Sequence, residues 1–135
     1  MKRSRLAHLF LLLGTLLFLR GKVHADTVPL DLFRWGNSSS PKLDNVRPTD
    51  LGTFKRNGED WVEARSGGVS LFSTDAGRPN TWKLPKNTAV PVKLDIYDDG
   101  ANSANHWLIR PAVDMKMTEY VELLRQFSAR LTKVR

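Results

Sequence analysis

The sequence predicts an α+β domain, rich in short strands and closed by one amphipathic C-terminal helix. Three observations carry this prediction. Several short segments, among them "VPLDLFRW", "GGVSLF", "VKLDIY" and "HWLIRP", alternate apolar and polar residues with the period of two of a half-buried strand. Clusters of Gly, Pro, Asn, Asp and Ser separate them. The last segment changes period: Met117, Tyr120, Leu123, Leu124, Phe127 and Leu131 fall on one side of a 3.6-residue helix.

The first 25 residues read as a leader rather than as part of this fold. "MKRSR" is a basic start, the apolar run from Leu6 to Leu19 is too short to span a bilayer comfortably, and "VHA" ends in a small residue before Asp26. The pattern predicts a secretory signal peptide over 1–25, a secreted, extracellular protein, and one domain over 26–135. The charge then changes meaning. The whole chain carries 21 Lys and Arg against 14 Asp and Glu, but five of the basic residues and none of the acidic ones lie in the leader. The remaining 16 against 14 give a net charge of +2, so the high isoelectric point is no argument for a nucleic-acid partner. There is no cysteine, so the domain must hold together by packing, and cysteine-built zinc sites are excluded. Past the leader only one histidine remains, His106, and no metal is expected.

Taken in order, Val28–Trp35 is a strand with Leu30, Leu32 and Arg34 on one face. The Gly36–Asp50 stretch is a loop containing the glycosylation sequon Asn37-Ser38-Ser39. Thr53–Arg65 reads as a hairpin around "RNGED". "GGVSLF" is a strand, "STDAGRPN" a turn cluster, "TWKLP" a short extended piece, and Val92–Tyr97 a strand. "DDGANSAN" is a polar loop, with Asp98 and Asp99 starting its turn before Gly100. His106–Pro111 is a strand stopped by its proline. Asp114 is the expected cap of the final helix, and Arg125, Arg130 and Lys133 suit its C-terminal end.

Four features bear on chemistry. Gly67 and Gly68 open the backbone either to a tight bulge or to a ligand. Ser70 and Phe72 point away from the face occupied by Val69 and Leu71, as a wet strand face or as a platform for a flat ring. "GVSLF" is not a nucleophile elbow, because Phe72 stands where the second glycine belongs, which argues against a serine hydrolase. Arg34, inside an apolar strand, wants an anion or a carboxylate such as Asp95 or Glu63. His106 opens a strand beside a flexible loop, a place where sites are commonly built.

The order of the pieces is more informative than any one of them. "LFRW", "SGGVSLF", "WKLPKNTAVPVKLDIYDD" and "NHWLIRPAVDMKMTEYVELLRQF" follow one another in a way that resembles the exported effector-two-like toxins of type VI secretion and their fungal relatives, over Leu30 to Arg130. The resemblance implies an ADP-ribosyltransferase-like fold with a split, mixed or antiparallel sheet, and an enzyme that uses NAD as substrate and transfers ADP-ribose to a macromolecule of a target cell. It implies that Arg34 helps hold the dinucleotide, that Ser70 positions the reacting group and the nicotinamide ribose, and that His106 occupies the third catalytic position. Gly67, Gly68 and Phe72 would complete the NAD contacts, and an immunity protein is an expected partner. His106 stands where better-known transferases carry glutamate, and Val69 where related toxins can carry threonine. Two other readings stay open: a secreted ribonuclease-like enzyme using Glu63, Arg65, Arg78 and His106, and a non-catalytic module binding sugars through exposed tryptophans.

Overall fold

The computed structural model describes residues 26–135. The predicted signal peptide over 1–25 lies outside the described residues. The described chain is an α+β domain: two antiparallel sheets and one helix near the C-terminus.

The strands are β1 (Leu32–Trp35), β2 (Thr53–Arg56), β3 (Glu59–Val62), β4 (Val69–Phe72), β5 (Thr81–Leu84), β6 (Leu94–Asp98), β7 (His106–Pro111), β8 (Met115–Lys116) and β9 (Thr132–Lys133), with helix α1 at Met117–Ser128. The larger sheet has the order β6-β7-β4-β1-β5-β9, and the smaller is β2-β3-β8. The hairpin expected over Thr53–Arg65 forms as β2 and β3. Its two loop residues, Asn57 and Gly58, have φ of 51° and 78°, the left-handed pair that a tight hairpin requires. The strand expected from Val92 begins at Leu94, because a turn bonds Leu94 N–H to the Pro91 carbonyl at 2.9 Å. The two-residue strands β8 and β9 are too short to leave an alternation pattern.

Register sorts the side chains of the large sheet. Phe33 faces Phe72, and Phe72 faces His106. One face therefore carries Phe33, Trp35, Ser70, Phe72 and His106. The other carries Leu32, Arg34, Val69, Leu71 and Ile109. Leu32, Leu71 and Ile109 are fully buried, and they join Val62 and Met115 of the small sheet and Tyr120 and Leu124 of the helix in one core. Burying each such side chain is worth about 1.5–3 kcal/mol, so this face supplies most of the cohesion. The outer face is only half buried.

The helix differs from expectation at its start. Lys116 is the N-cap residue and makes no side-chain cap bond, while the Asp114 carboxylate accepts the Ala64 N–H at 2.8 Å. Asp114 thus ties the β3–β4 connection to the segment before β8. Arg125 does lie in the last turn, but the helix ends at Ser128, so Arg130 and Lys133 lie beyond it. The periodic residues behave as read: Tyr120, Leu124 and Phe127 are buried along the helix, and Leu131 just past it.

Candidate active site

The two central strands of the large sheet hardly pair. β1 meets β5 over four positions and β4 meets β7 over four, but β1 and β4 share only Phe33↔Phe72. Toward Trp35 and Ser70 they part. Arg34 bridges the gap. Its Nη1 donates to the Ser70 carbonyl at 2.8 Å, its Nε to Pro41 at 3.1 Å and its Nη2 to Lys42 at 2.9 Å. One guanidinium therefore staples the Gly36–Asp50 loop to β4. The carboxylate partners expected from the sequence are engaged elsewhere or absent from its contacts: Asp95 accepts two bonds from Arg110, at 2.9 and 2.5 Å. Burial lowers the Arg34 pKa from its ordinary value, opposed by Asp50 and reinforced by Arg47. Three of the five guanidinium N–H groups are thus engaged among the described residues, and Arg34 lines an adjoining cleft of about 180 Å³ together with Asn45, Arg47, Asp50, Val69 and Ser70.

The glycine pair is filled from within. Gly67 has φ of 143°, and a Cβ there would overlap the Asp50 carbonyl oxygen. A Cβ at Gly68 would overlap the Ile109 carbonyl oxygen. Both glycines let the chain pass against its own backbone at the entrance of β4.

On the outer face, Ser70 and His106 meet. Ser70 Oγ lies 2.8 Å from His106 Nε2, and His106 Nδ1 lies 2.7 Å from Asp99 Oδ2. A carboxylate can only accept, so Nδ1 carries the proton of the neutral ring and Nε2 is left to accept from the serine O–H. The His106 and Asp99 side chains are 18% and 13% exposed, so water competes little for the bond between them. Asp99 is itself held: Asn102 Nδ2 donates to its Oδ1 at 2.8 Å, and its backbone N–H donates to the His106 carbonyl at 2.9 Å. The Asn102 bond first, and the His106 bond second, hold the Asp99 carboxyl below the usual carboxylate range.

Beside this trio runs an aromatic row. The Phe72 ring lies 5.5 Å from the His106 ring and 4.5 Å from Trp35, against which it stacks, and the Arg78 guanidinium lies 4.1 Å above Trp35.

Of the residues singled out from sequence, Ser70, Phe72 and His106 come together on one face. Arg34 touches Ser70 only through its carbonyl, and its side chain leaves the opposite face. The ribonuclease-like set does not assemble. Arg65 N–H bonds the Pro111 carbonyl, at the far end of β7 from His106. Five residue steps along a strand separate them by roughly 17 Å. The exposed tryptophan stripe is absent too: Trp35, Trp61, Trp82 and Trp107 are all partly covered. The Trp82 indole N–H donates to the Asn37 carbonyl at 3.0 Å, and the Asn37 side chain accepts from the Ser39 and Ser40 amides. Asp99 is the residue that sequence reading missed. Its neighbour Asp98 makes the expected turn bond to Gly100 N–H at 2.8 Å, whereas Asp99 turns back seven residues to the histidine. Its signal was an acidic residue within loop reach of the chain's one histidine past the leader.

No family model matches this chain, and no curated protein matches it.

Proposed function

We propose that this protein is a secreted, NAD-cleaving enzyme of the ADP-ribosyltransferase-like kind, a toxin or effector that breaks the nicotinamide–ribose bond and transfers ADP-ribose to an acceptor in a target cell. The observation that carries the reading is the contact of Ser70 with His106 at the place where β1 and β4 part, with a polar cleft that Arg34 borders on the opposite face of the same gap. The sheet that splits there is also the feature that favours an ADP-ribosyltransferase-like architecture within the α+β class.

The chemistry fits the groups present. Cleaving the glycosidic bond leaves positive charge on the ribose carbon and ring oxygen. Such a transition state needs electron-rich oxygens and a carboxylate nearby. Ser70 Oγ and, through His106, Asp99 supply them. The pyrophosphate needs cations, and Arg34 and Arg47 line the cleft, Arg47 there paired with Asp50 at 3.0 Å. The nicotinamide ring needs a flat apolar neighbour, which Phe72 and Trp35 supply. His106 Nε2 takes the proton of the incoming acceptor. Arg34 also fixes the Ser70 backbone and so sets where the hydroxyl stands.

Incubation of the protein with NAD and target-cell lysate tests this. Nicotinamide release and ADP-ribose-labelled protein are expected. Ser70→Ala and His106→Ala should each lower the rate by roughly 100-fold or more while keeping the circular dichroism spectrum. Absence of both turnover and NAD binding in the wild-type protein overturns the reading.

A further inference from the structure

The outer-face trio has a property that does not depend on NAD being the ligand. We propose that Ser70 is a base-activated nucleophile, with His106 as its base and Asp99 as the positioning residue, and that it is captured covalently by electrophiles such as phosphonofluoridates.

Geometry supports each role. Ser70 Oγ lies 2.8 Å from His106 Nε2, within reach to donate its proton to the tautomer that Asp99 selects. At 2.7 Å, the Asp99 carboxylate fixes the only tautomer that leaves Nε2 unprotonated, and it stabilises the imidazolium once the proton has moved. Asn102 and the turn holding Asp99 keep that carboxylate in place. Nucleophile, base and orienting carboxylate within hydrogen-bond reach in this order are the arrangement that activates a hydroxyl. Ser70 lies on the half-buried face of the sheet, so a small electrophile can approach it.

The main chain decides which electrophiles suit the site. Ser70 lies within β4, paired along its length to β7, and its carbonyl accepts from Arg34. It does not stand at a turn or helix start that would present amides to a developing oxyanion. Esters, whose tetrahedral intermediate needs such donors, turn over slowly here. Phosphonofluoridates build charge on the phosphoryl oxygen in the same way, but their serine adduct is not hydrolysed, so even slow capture accumulates as a label. In the step, Ser70 Oγ forms a bond to phosphorus and the P–F bond breaks. Fluoride leaves with the bonding pair, and the serine proton passes to Nε2 and then to solvent. A ribosyl carbon that develops positive charge also needs no oxyanion donors, so the same activated oxygen is compatible with the function proposed above.

The experiment treats the full chain, without NAD, with a fluorophore-tagged phosphonofluoridate, locates the label by peptide mass, and measures its rate. One label on Ser70 is expected, absent in Ser70→Ala. The rate should fall roughly 100-fold in His106→Ala, as for loss of a positioned base. Asp99→Asn should slow it at least about tenfold, because the amide can donate to Nδ1 and so favours the tautomer that protonates Nε2. Nitrogen-15 shifts of the His106 ring should show Nδ1 protonated in the wild type and Nε2 protonated in Asp99→Asn, with amide exchange at Asn102 unchanged to show that the loop has kept its order. An unlabelled wild type, a label elsewhere, or undiminished labelling in Asp99→Asn overturns the proposal. Should Asp99→Asn not fold, the tautomer of the wild-type ring decides: Nε2 protonated overturns it. Because the labelling needs no NAD, a protein that labels at Ser70 but releases no nicotinamide overturns only the proposed function.

Discussion

The two faces of the large sheet use polar groups for different ends. On the inner face, Arg34 and Tyr120 donate to main-chain carbonyls, and both are bound into packing: Arg34 holds Pro41, Lys42 and Ser70, and Tyr120 Oη donates to Ile109 at 2.6 Å. Burial pushes the Tyr120 hydroxyl well above its ordinary pKa, so it stays a donor. On the outer face, Ser70, His106 and Asp99 bond side chain to side chain and hold little of the backbone. A polar group that satisfies carbonyls cannot be removed without leaving them unpaired. The end of a side-chain relay, here the Ser70 hydroxyl, can be removed with small structural consequence, since the Asp99–His106 bond stays in place. The inner face, which also carries the cleft bordered by Arg34, should therefore govern stability, and the outer face bond-breaking chemistry.

The largest effect is expected at the entrance of β4, where the backbone tolerates no added atom. Gly68→Ala places a methyl group into the Ile109 carbonyl, which is main chain and cannot swing aside. A cost of about 3 kcal/mol or more is expected. In a domain this small that lowers Tm by roughly 15 °C in a calorimetric scan. A near-native Tm would mean that the β4–β7 approach is looser than drawn. Arg34→Met comes next, at about 2 kcal/mol, because three carbonyls lose a charged donor and some regain water. Arg34→Lys should recover less than half of that, since one ammonium cannot span three acceptors held in a fork. Tyr120→Phe should cost about 1 kcal/mol, the net value of one buried hydrogen bond. Urea midpoints of these variants measured together sharpen the ranking.

Much of this contrast was legible in the sequence, and the missing part has a common cause. Alternation is a local property, so β4, β5, β7 and the buried side of α1 emerged from it, and the Asn57-Gly58 turn marked the hairpin. Ser70 and Phe72 stand out because local pattern gives the face of a strand, and His106 because it opens a strand beside a polar loop. Contacts set by long-range register were not legible. Arg34 reads as a charge seeking a charge, yet its partners are carbonyls of a loop whose path no periodicity encodes. Asp114 has the sequence of a helix cap, but Ala64, far away in the chain, takes its carboxylate. Asp99 reads as turn chemistry, and only the return of the chain into β7 brings it to His106.

The outer face should show the reverse balance. Ser70→Ala is expected to change unfolding free energy by no more than about 1 kcal/mol, whereas His106→Ala, which leaves the Asp99 carboxylate without its ring partner, costs about 1–2 kcal/mol. NAD cleavage should nevertheless fall in both. A Ser70→Ala variant that unfolds as readily as Arg34→Met would remove the distinction between the faces.

The smallest effect separates the faces by pH. Asp99 has its pKa lowered in the folded protein by Asn102 and His106. A carboxyl depressed on folding contributes stability that is whole above its unfolded value, about 3.9, and is lost as pH falls through the lower folded value. Neither His106 nor the loop should therefore be released by mild acid. Asp75, whose pKa is lowered by Arg135 and the Gly77 amide, follows the same sign at a different place, so an Asp75→Asn background isolates the Asp99 event. Amide exchange at His106 and Asn102, followed from pH 6 downward, should stay slow to below pH ~3.9 and then rise before global unfolding. The inner-face amides around Ile109 should not respond until the whole domain opens. Exchange at His106 that already accelerates near pH 5 would show that the carboxylate does not hold the ring, and that the outer face is less ordered than the relay requires.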